Sequence, residues 1–228
     1  MFPEFFFFQP LYLLFLNGNE LRIEANDPDN IFEEIMNTEG SLSNALNSIS
    51  LSQRITHKEY IEKIHALKQH ILKGDCYEIN FCQEFYAEHV RLDPVMTYLN
   101  LCAISPNSFC CLYKLENKFL ICASPERFLF KDGSQLVSQP MKGTIGRDLN
   151  NESRDERLKN ELYQSAKDRS ENVMVVDLVR NDLSRVCKGG TVEVTELFGV
   201  YPFPHVYQMI STIRGELMDG KTISEIIE

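Results

Sequence analysis

The sequence predicts an α+β protein in which large antiparallel sheets pack face to face, with helices outside them. Helices are indicated by two segments with helical spacing, one that begins at Thr56 and one within Lys167–Val186. Antiparallel strands are indicated by short apolar segments separated by turn residues, namely Ser108–Leu115, Phe119–Ala123, Phe128–Lys131 and Gln135–Gln139. Elements of these two kinds bury their apolar faces against each other in layers.

Composition and charge argue against several classes of function. The 228 residues are 43% hydrophobic and 25% charged, which is ordinary for a globular chain of one large or two small domains. A net charge of −10, from 23 basic and 33 acidic residues, argues against nucleic acid or an anionic membrane as a partner. Seven cysteines without a CxxC pair indicate reduced thiols in a cytoplasmic protein, not a disulfide framework or a zinc site.

The first part of the chain predicts a hairpin and a short helix. Two strands, Leu11–Leu16 and Glu20–Ala25, are expected to pair around a turn at Asn17–Gly18–Asn19. A helix follows at Asp27–Asn37, where Pro28 occupies a tolerated first-turn position. The segment Glu39–Ser52 is rich in Ser and Asn and is the best candidate for a linker.

The helix that begins at Thr56 has both ends marked. Thr56 and Glu59 form a capping box, and Gly74 ends the helix. Alternation of apolar and polar residues then predicts a half-buried strand at Tyr77–Phe85. The later elements are expected to be a helix from Asp93 that ends before Pro106, a charged helix at Glu152–Ser165, strands at Thr191–Val194 and Val206–Leu217, and a helix from Thr222.

The segment Lys167–Val186 predicts a buried helix with one polar face. Apolar residues recur at helical intervals at Val176, Val179, Leu183 and Val186, and polar residues mark the opposite side at Asp177, Arg180, Asn181 and Ser184. Glu171 lies near the start, on a face that continues into apolar residues. A desolvated carboxylate there would need a compensating cation. The alternative is a solvated first-turn glutamate that favours the helix dipole.

Glu126 and Lys142 form a candidate catalytic pair. Each lies in a segment that joins two predicted strands, Ser124–Phe128 and Pro140–Thr144, and the two residues are 16 positions apart in the sequence. Equivalent loop ends of an antiparallel series recur at such a distance, so the two side chains could lie near each other. A buried Glu can donate a proton and a desolvated Lys can attack carbon. The alternative is an ordinary surface ion pair. Gly143 would allow the backbone to approach a ligand closely.

Four motifs together resemble the chorismate-utilising enzymes. They are GDCYEINFCQEF from Gly74, SPERF from Ser124, QPMKGT from Gln139 and KDRSENVMVVDLVRNDLSRV from Lys167. Within that family the sequence looks like component I of the aminodeoxychorismate synthases, which are related to anthranilate synthase component I. The resemblance implies the antiparallel fold of that family, with chorismate as substrate and ammonia supplied by a glutamine amidotransferase subunit for p-aminobenzoate and folate synthesis.

The resemblance also implies roles for single residues. Glu171 matches a glutamate that binds Mg²⁺, which holds the chorismate carboxylate; Glu126 matches the general acid for the departing C4 hydroxyl. Lys142 matches the lysine that attacks C2 in the aminodeoxychorismate branch, where anthranilate synthases typically carry Ala. Gly143, Thr144 and Gln208 are expected to contact the substrate.

Three features depart from relatives of the same family. Gln208 stands where many relatives have His, and an amide cannot carry a proton at neutral pH. Glu78 stands where the water-using relatives have a base lysine, which weakens a hydrolytic function. The family's Gly-rich loop, substrate-binding arginine and second metal glutamate are not found before Glu228.

We therefore expect a fragment that is inactive alone. Residues 1–50 would be a remnant of an N-terminal subdomain, and residues 51–228 part of the catalytic domain. The alternatives are anthranilate synthase component I and a catalytically inert or amidotransferase-binding subunit.

Overall fold

The computed structural model describes residues 2–3, 6, 8–40 and 49–227. The chain divides into two compact units, one of Phe5–Met96 and one of Met1–Glu4 with Thr97–Glu228. The expected domains at residues 1–50 and 51–228 stay a prediction. Most of the candidate linker, residues 41–48, lies outside the described residues.

The smaller unit begins with the predicted hairpin and continues into helices with well-defined ends. Asp27 caps the first helix, Thr56 and Glu59 form the predicted capping box of the second, and Gly74 ends that helix with φ of 81°. The elements are β1 (Leu13–Asn17), β2 (Glu20–Glu24), α1 (Pro28–Asn37), β3 (Ser52–Gln53), α2 (His57–Lys73) and β4 (Phe85–Tyr86).

The predicted strand at Tyr77–Phe85 is wrong for most of its length. Only Phe85–Tyr86 is extended and paired, and its partner is the two-residue strand β3. Alternation of apolar and polar residues describes a strand only where a neighbour supplies the backbone hydrogen bonds. Among the described residues β3 alone pairs with this segment, so residues 78–84, including Glu78, have no regular structure.

The described residues from Pro94 to Ile227 form one large sheet, one hairpin and four helices. In the large sheet the strands are ordered β10, β11, β8, β7, and β9 also pairs with β11. The elements are α3 (Pro94–Ile104), β5 (Phe109–Leu115), β6 (Lys118–Ser124), β7 (Arg127–Asp132), β8 (Gln135–Gln139), β9 (Met141–Gly146), α4 (Glu152–Gln164), α5 (Ala166–Val186), β10 (Glu193–Pro202), β11 (Val206–Glu216) and α6 (Ile223–Ile227).

The expected continuous antiparallel series is interrupted after β6. Strands β5 and β6 pair only with each other, and β7 pairs with β8 in the large sheet. Only Pro125 and Glu126 separate β6 from β7. A two-residue hairpin turn needs positive φ at its first central residue, and proline holds φ near −65°. Pro125 therefore prevents β7 from folding back on β6.

The predicted connecting loop at Pro140–Thr144 is also wrong, because Met141–Gly146 is strand β9. Strands β8 and β9 follow each other along the same edge of β11, on either side of Pro140. Proline has no N–H to donate, but its carbonyl accepts the Ser211 N–H at 3.2 Å. Pro140 thus interrupts the edge strand without removing it from β11.

The core lies between one face of β11 and the helices α4 and α5. Alternate residues of β11, from Tyr207 to Ile213, are buried on this side. The predicted apolar stripe of α5 is confirmed, since Val176, Leu183 and Val186 are buried and Val179 packs beside them. The polar face predicted for this helix is exposed. The opposite face of β11 carries Gln208.

An ion pair between the buried Asp155 and the half-buried Arg147 joins α4 to the large sheet. Asp155 accepts hydrogen bonds from Arg147 Nη2 at 2.8 Å, from the Tyr207 hydroxyl at 2.7 Å and from the Asp148 N–H at 2.9 Å. The Arg147 guanidinium first, and then the Tyr207 hydroxyl, lowers the pKa of Asp155 to about 2. The ionised carboxylate is therefore the form that stabilises the folded chain.

None of the helices in the described ranges has both the length and the hydrophobicity needed to cross a bilayer. All seven cysteines fall within those ranges and are free thiols.

We expect Asp155→Asn to lower the free energy of unfolding at neutral pH and to change its pH dependence. An unfolded aspartate titrates near about 3.9, and the folded value is about 2. The wild-type advantage should therefore be full above about pH 5 and be lost as the pH falls toward 2. Urea unfolding between pH 3 and 7 measures this difference in stability, and Asp132→Asn, at the exposed end of β7, is the control. An equal difference at all pH values would contradict the role of the carboxylate.

Candidate active site

The turn between β6 and β7 holds Glu126 next to the start of β9. The Ser124 hydroxyl oxygen accepts the Glu126 N–H at 3.2 Å, which fixes the turn. Glu126 Oε1 then accepts the backbone N–H of Met141 at 3.2 Å. The exposed Glu126 carboxylate thus lies against the residue that precedes Lys142, so the structure brings the two predicted catalytic residues to one place.

Lys142 lies on a β-bulge of strand β9, and the sequence did not predict this bulge. Thr144 is opposite Gln208 and Met141 is opposite Ile210, so Lys142 and Gly143 together oppose the single residue Met209. Such a bulge reorients side chains and is common beside active sites. Gly143 makes it possible, since its φ of 101° is a conformation that other residues rarely adopt.

Gly143 permits a close approach, but the neighbour is part of the chain itself. A Cβ atom at this position would lie 2.9 Å from Cβ of Asp168 and 3.3 Å from Cδ1 of Leu162. Asp168 belongs to the first turn of α5. The glycine therefore lets β9 pack directly on the start of the helix that carries Glu171. A contact between Gly143 and substrate stays a prediction.

Thr144 and Gln208 form a polar pair on the face of the sheet opposite α4 and α5. The Thr144 hydroxyl donates to Gln208 Oε1 at 2.6 Å. Gln208 alternates with the buried residues Tyr207 and Met209, which face the helices. Both side chains therefore lie on one surface of the sheet, where they can offer hydrogen bonds to a polar ligand. Its contact with substrate stays a prediction.

Glu171 lies in the second turn of α5 and is only partly desolvated. Its side chain is 39% exposed, and Lys167 Nζ lies 3.6 Å from its Oε1. No group of three or more His, Cys, Asp or Glu side chains suited to a metal ion occurs among the described residues. Because Mg²⁺ is commonly bound through one or two carboxylates together with water and substrate oxygens, Glu171 fits as one ligand of such an ion.

Asn172 is a site residue that the sequence reasoning missed. Its side chain is fully buried, and its Nδ2 lies 3.5 Å from the carbonyl oxygens of Lys142 and Met209. Its Oδ1 accepts the Ser211 hydroxyl at 2.5 Å. The sequence contained a signal: Asn172 continues the apolar stripe of Val176 and Leu183 by one turn, where an amide is unusual.

The profile of the family described as "chorismate binding enzyme" matches residues 12–228. The chain belongs to this family. Among the chorismate-binding enzymes, aminodeoxychorismate synthase component 1 of Escherichia coli is 38% identical over 173 residues, which are 76% of this chain and 38% of the relative. The anthranilate synthase component I-like protein of Synechocystis is 30% identical over 236 aligned positions, or 100% of this chain and 48% of the relative. This chain thus spans less than half the length of both relatives.

The α+β class is confirmed by the likeness to a solved structure. Anthranilate synthase component I from Streptococcus pneumoniae superposes with a TM-score of 0.76 at 23% identity. The likeness covers 88% of this chain and 44% of that one. At this identity the comparison establishes the fold alone.

The bulge predicts a strong asymmetry between two glycines. Gly143→Ala should lower the free energy of unfolding by about 1–3 kcal/mol more than Gly133→Ala. Both glycines have positive φ, but a Cβ at Gly133 has no atom within 4 Å, whereas at Gly143 it meets Asp168. Gly133, with φ of 56°, controls for positive φ in general, and the extra loss at Gly143 reports the contact with Asp168 together with its wider φ of 101°. Equal losses in chemical denaturation would show that β9 does not press on α5 at Gly143.

Proposed function

We propose that the protein aminates chorismate at C4 to give 4-amino-4-deoxychorismate, a step of p-aminobenzoate and folate synthesis. The observation that carries this proposal is the hydrogen bond from the Met141 N–H to Glu126, which puts an acid next to Lys142. Family membership supports the substrate class, and the similarity to aminodeoxychorismate synthase component 1 supports the choice of C4.

Lys142 would act first, as a neutral amine. Its Nζ attacks C2 of chorismate, the two conjugated ring double bonds each shift by one position, and the C4 hydroxyl leaves. Glu126 donates the proton, so that the hydroxyl departs as water. The partly buried position of Lys142 beside the bulge supports this role, because a desolvated lysine is a better nucleophile than a hydrated ammonium.

Ammonia would complete the reaction from the opposite end of the shifted double bonds. It adds at C4, both double bonds return to their original positions, and the Lys142 amine leaves C2. The ammonium formed at C4 returns a proton to Glu126, so the enzyme is regenerated. A glutamine amidotransferase subunit is the proposed ammonia source. The designation "component 1" of the relatives supports a partner subunit.

The remaining site residues would orient the substrate. Glu171 would supply one ligand of Mg²⁺, and that ion would hold a carboxylate of chorismate. Thr144 and Gln208 already share a hydrogen bond on one face of the sheet and would meet polar groups of the substrate. Gly143 would let the backbone of β9 approach the same molecule.

Anthranilate synthesis is the second candidate, and it is favoured by the Synechocystis relative. In that reaction ammonia adds at C2 and no lysine adduct forms. The two functions therefore differ in whether Lys142 forms a covalent bond to the substrate.

In the protein at its natural full length, we expect Lys142→Ala to reduce formation of the 4-amino product to below about 1% of wild type. Residual amination should move to C2, because ammonia then attacks the position that the lysine occupied. Chromatography with mass spectrometry identifies the product, and an adduct of Lys142 should be trapped in the wild type. Lys131→Ala, on strand β7, is the matched control. Wild-type rates of C4 amination in Lys142→Ala would exclude the lysine as nucleophile.

Glu171→Gln should weaken activity and Mg²⁺ dependence together, since an amide is a poorer ligand for Mg²⁺ than a carboxylate. The expected result is a Mg²⁺ titration of activity shifted to higher concentration, again at natural full length. Glu161→Gln, which replaces an exposed glutamate of α4, should leave the titration unchanged. Superimposable curves for Glu171→Gln and wild type would exclude Glu171 as a ligand.

A further inference from the structure

The amide of Asn172 connects four backbone segments at the bulge. Its Nδ2 is 3.5 Å from the carbonyl oxygens of Lys142 on β9 and of Met209 on β11. Its Oδ1 accepts the hydroxyl of Ser211 at 2.5 Å. The Ser211 oxygen in turn accepts the Phe198 N–H of β10 at 3.1 Å. Helix α5 is thereby joined directly to β9 and β11, and through the Ser211 side chain to β10.

The bulge explains why an amide is useful at this position. Where Lys142 and Gly143 oppose Met209, the regular ladder between β9 and β11 is interrupted. Backbone carbonyls in such a gap need another donor when they are buried. The Nδ2 group of Asn172 approaches one carbonyl from each strand of the interrupted pair, including that of Lys142 itself.

Packing alone does not account for Asn172. The side chain is fully buried and occupies the same stripe of α5 as Val176 and Leu183, which are buried apolar residues. A buried amide is costly unless its hydrogen bonds are made. What distinguishes this position from the other two is its contact with the bulge.

We propose that Asn172 is a positioning residue for Lys142. It holds the Lys142 carbonyl, and so fixes the backbone from which the lysine side chain reaches the substrate. This inference rests on the proposed function, in which Lys142 is the nucleophile. Asn172 itself touches no reacting atom. Removing the Asn172 amide leaves the nucleophile present but displaces its backbone. Small displacements of reacting groups lower the reaction rate strongly.

The test compares Asn172→Leu with Leu183→Ala in the protein at its natural full length. Both variants disturb the buried stripe of α5, but Leu183 belongs to the cluster that excludes the bulge residues. Asn172→Leu should lower kcat about 10- to 100-fold at nearly constant KM and change the amine labelling of Lys142, relative to Lys131, at least about threefold. Leu183→Ala should leave the labelling ratio and kcat close to wild type at a temperature where both variants are folded.

Competitive labelling with an amine-acylating reagent, read by mass spectrometry, measures the Lys142 ratio without turnover. An unchanged ratio in Asn172→Leu, or an equal change in Leu183→Ala, would overturn the inference. If Asn172→Leu does not fold, Asn172→Asp is measured in its place, since it keeps the acceptor for Ser211 and removes the donor to both carbonyls. It should change the ratio in the same way, and an unchanged ratio would also overturn the inference.

The two proposals fail separately. If Lys142→Ala retains C4 amination, the proposed function fails whatever the labelling shows. If Lys142→Ala abolishes C4 amination but Asn172→Leu and Asn172→Asp leave kcat and labelling unchanged, only the positioning role of Asn172 fails.

Discussion

Burial of one face of β11 beneath α4 and α5 is the constraint on which the candidate site depends. Strand β11 pairs with β10 along one edge and with β8 and β9 along the other, so both of its edges are occupied. Strand β11 is thus held by neighbouring strands at both edges and by helices on one face. Strand β9 and helix α5 both pack against it, so β11 determines where they lie. Glu126 reaches the same place through the backbone of Met141. Residues that are far apart in the sequence therefore meet because each of them contacts β11 or a direct neighbour of it.

The same constraint explains why irregular backbone is tolerated at the site. Pro140 interrupts the edge, and the Lys142–Gly143 bulge follows immediately, yet the carbonyls around them meet donors on Ser211 and Asn172. Regular structure on both sides stabilises the bulge, and the bulge in turn gives Lys142 a backbone direction that a regular strand would not. The candidate chemistry is thus concentrated at an irregular part of strand β9 that borders the buried core.

Local rules were sufficient for part of this structure. The capping box at Thr56, the glycine stop at Gly74 and the apolar stripe of α5 depend on neighbours in the sequence, and all were predicted. The motifs around Glu126, Lys142 and Glu171 predicted the family. The strand identity of Met141–Gly146 was missed because Pro140 and Gly143 are turn residues by local rules, and only pairing with β11 makes the segment extended. Asn172 was missed for a related reason. Its amide lies in an apolar stripe of the helix, and the carbonyls that it contacts are 30 and 37 residues away in the sequence.

A single residue joins α4 to α5. The Ser165 N–H donates to the Leu162 carbonyl at 3.2 Å and ends α4, while the Ser165 hydroxyl oxygen accepts the Asp168 N–H at 3.3 Å and begins α5. With no intervening loop, a change in the angle of α4 is transmitted to the first turn of α5. That turn carries Asp168, which borders Gly143. The exposed surface of α4 is therefore connected to the backbone beside Lys142 through only Ser165 and the first turn of α5, with no flexible segment between them.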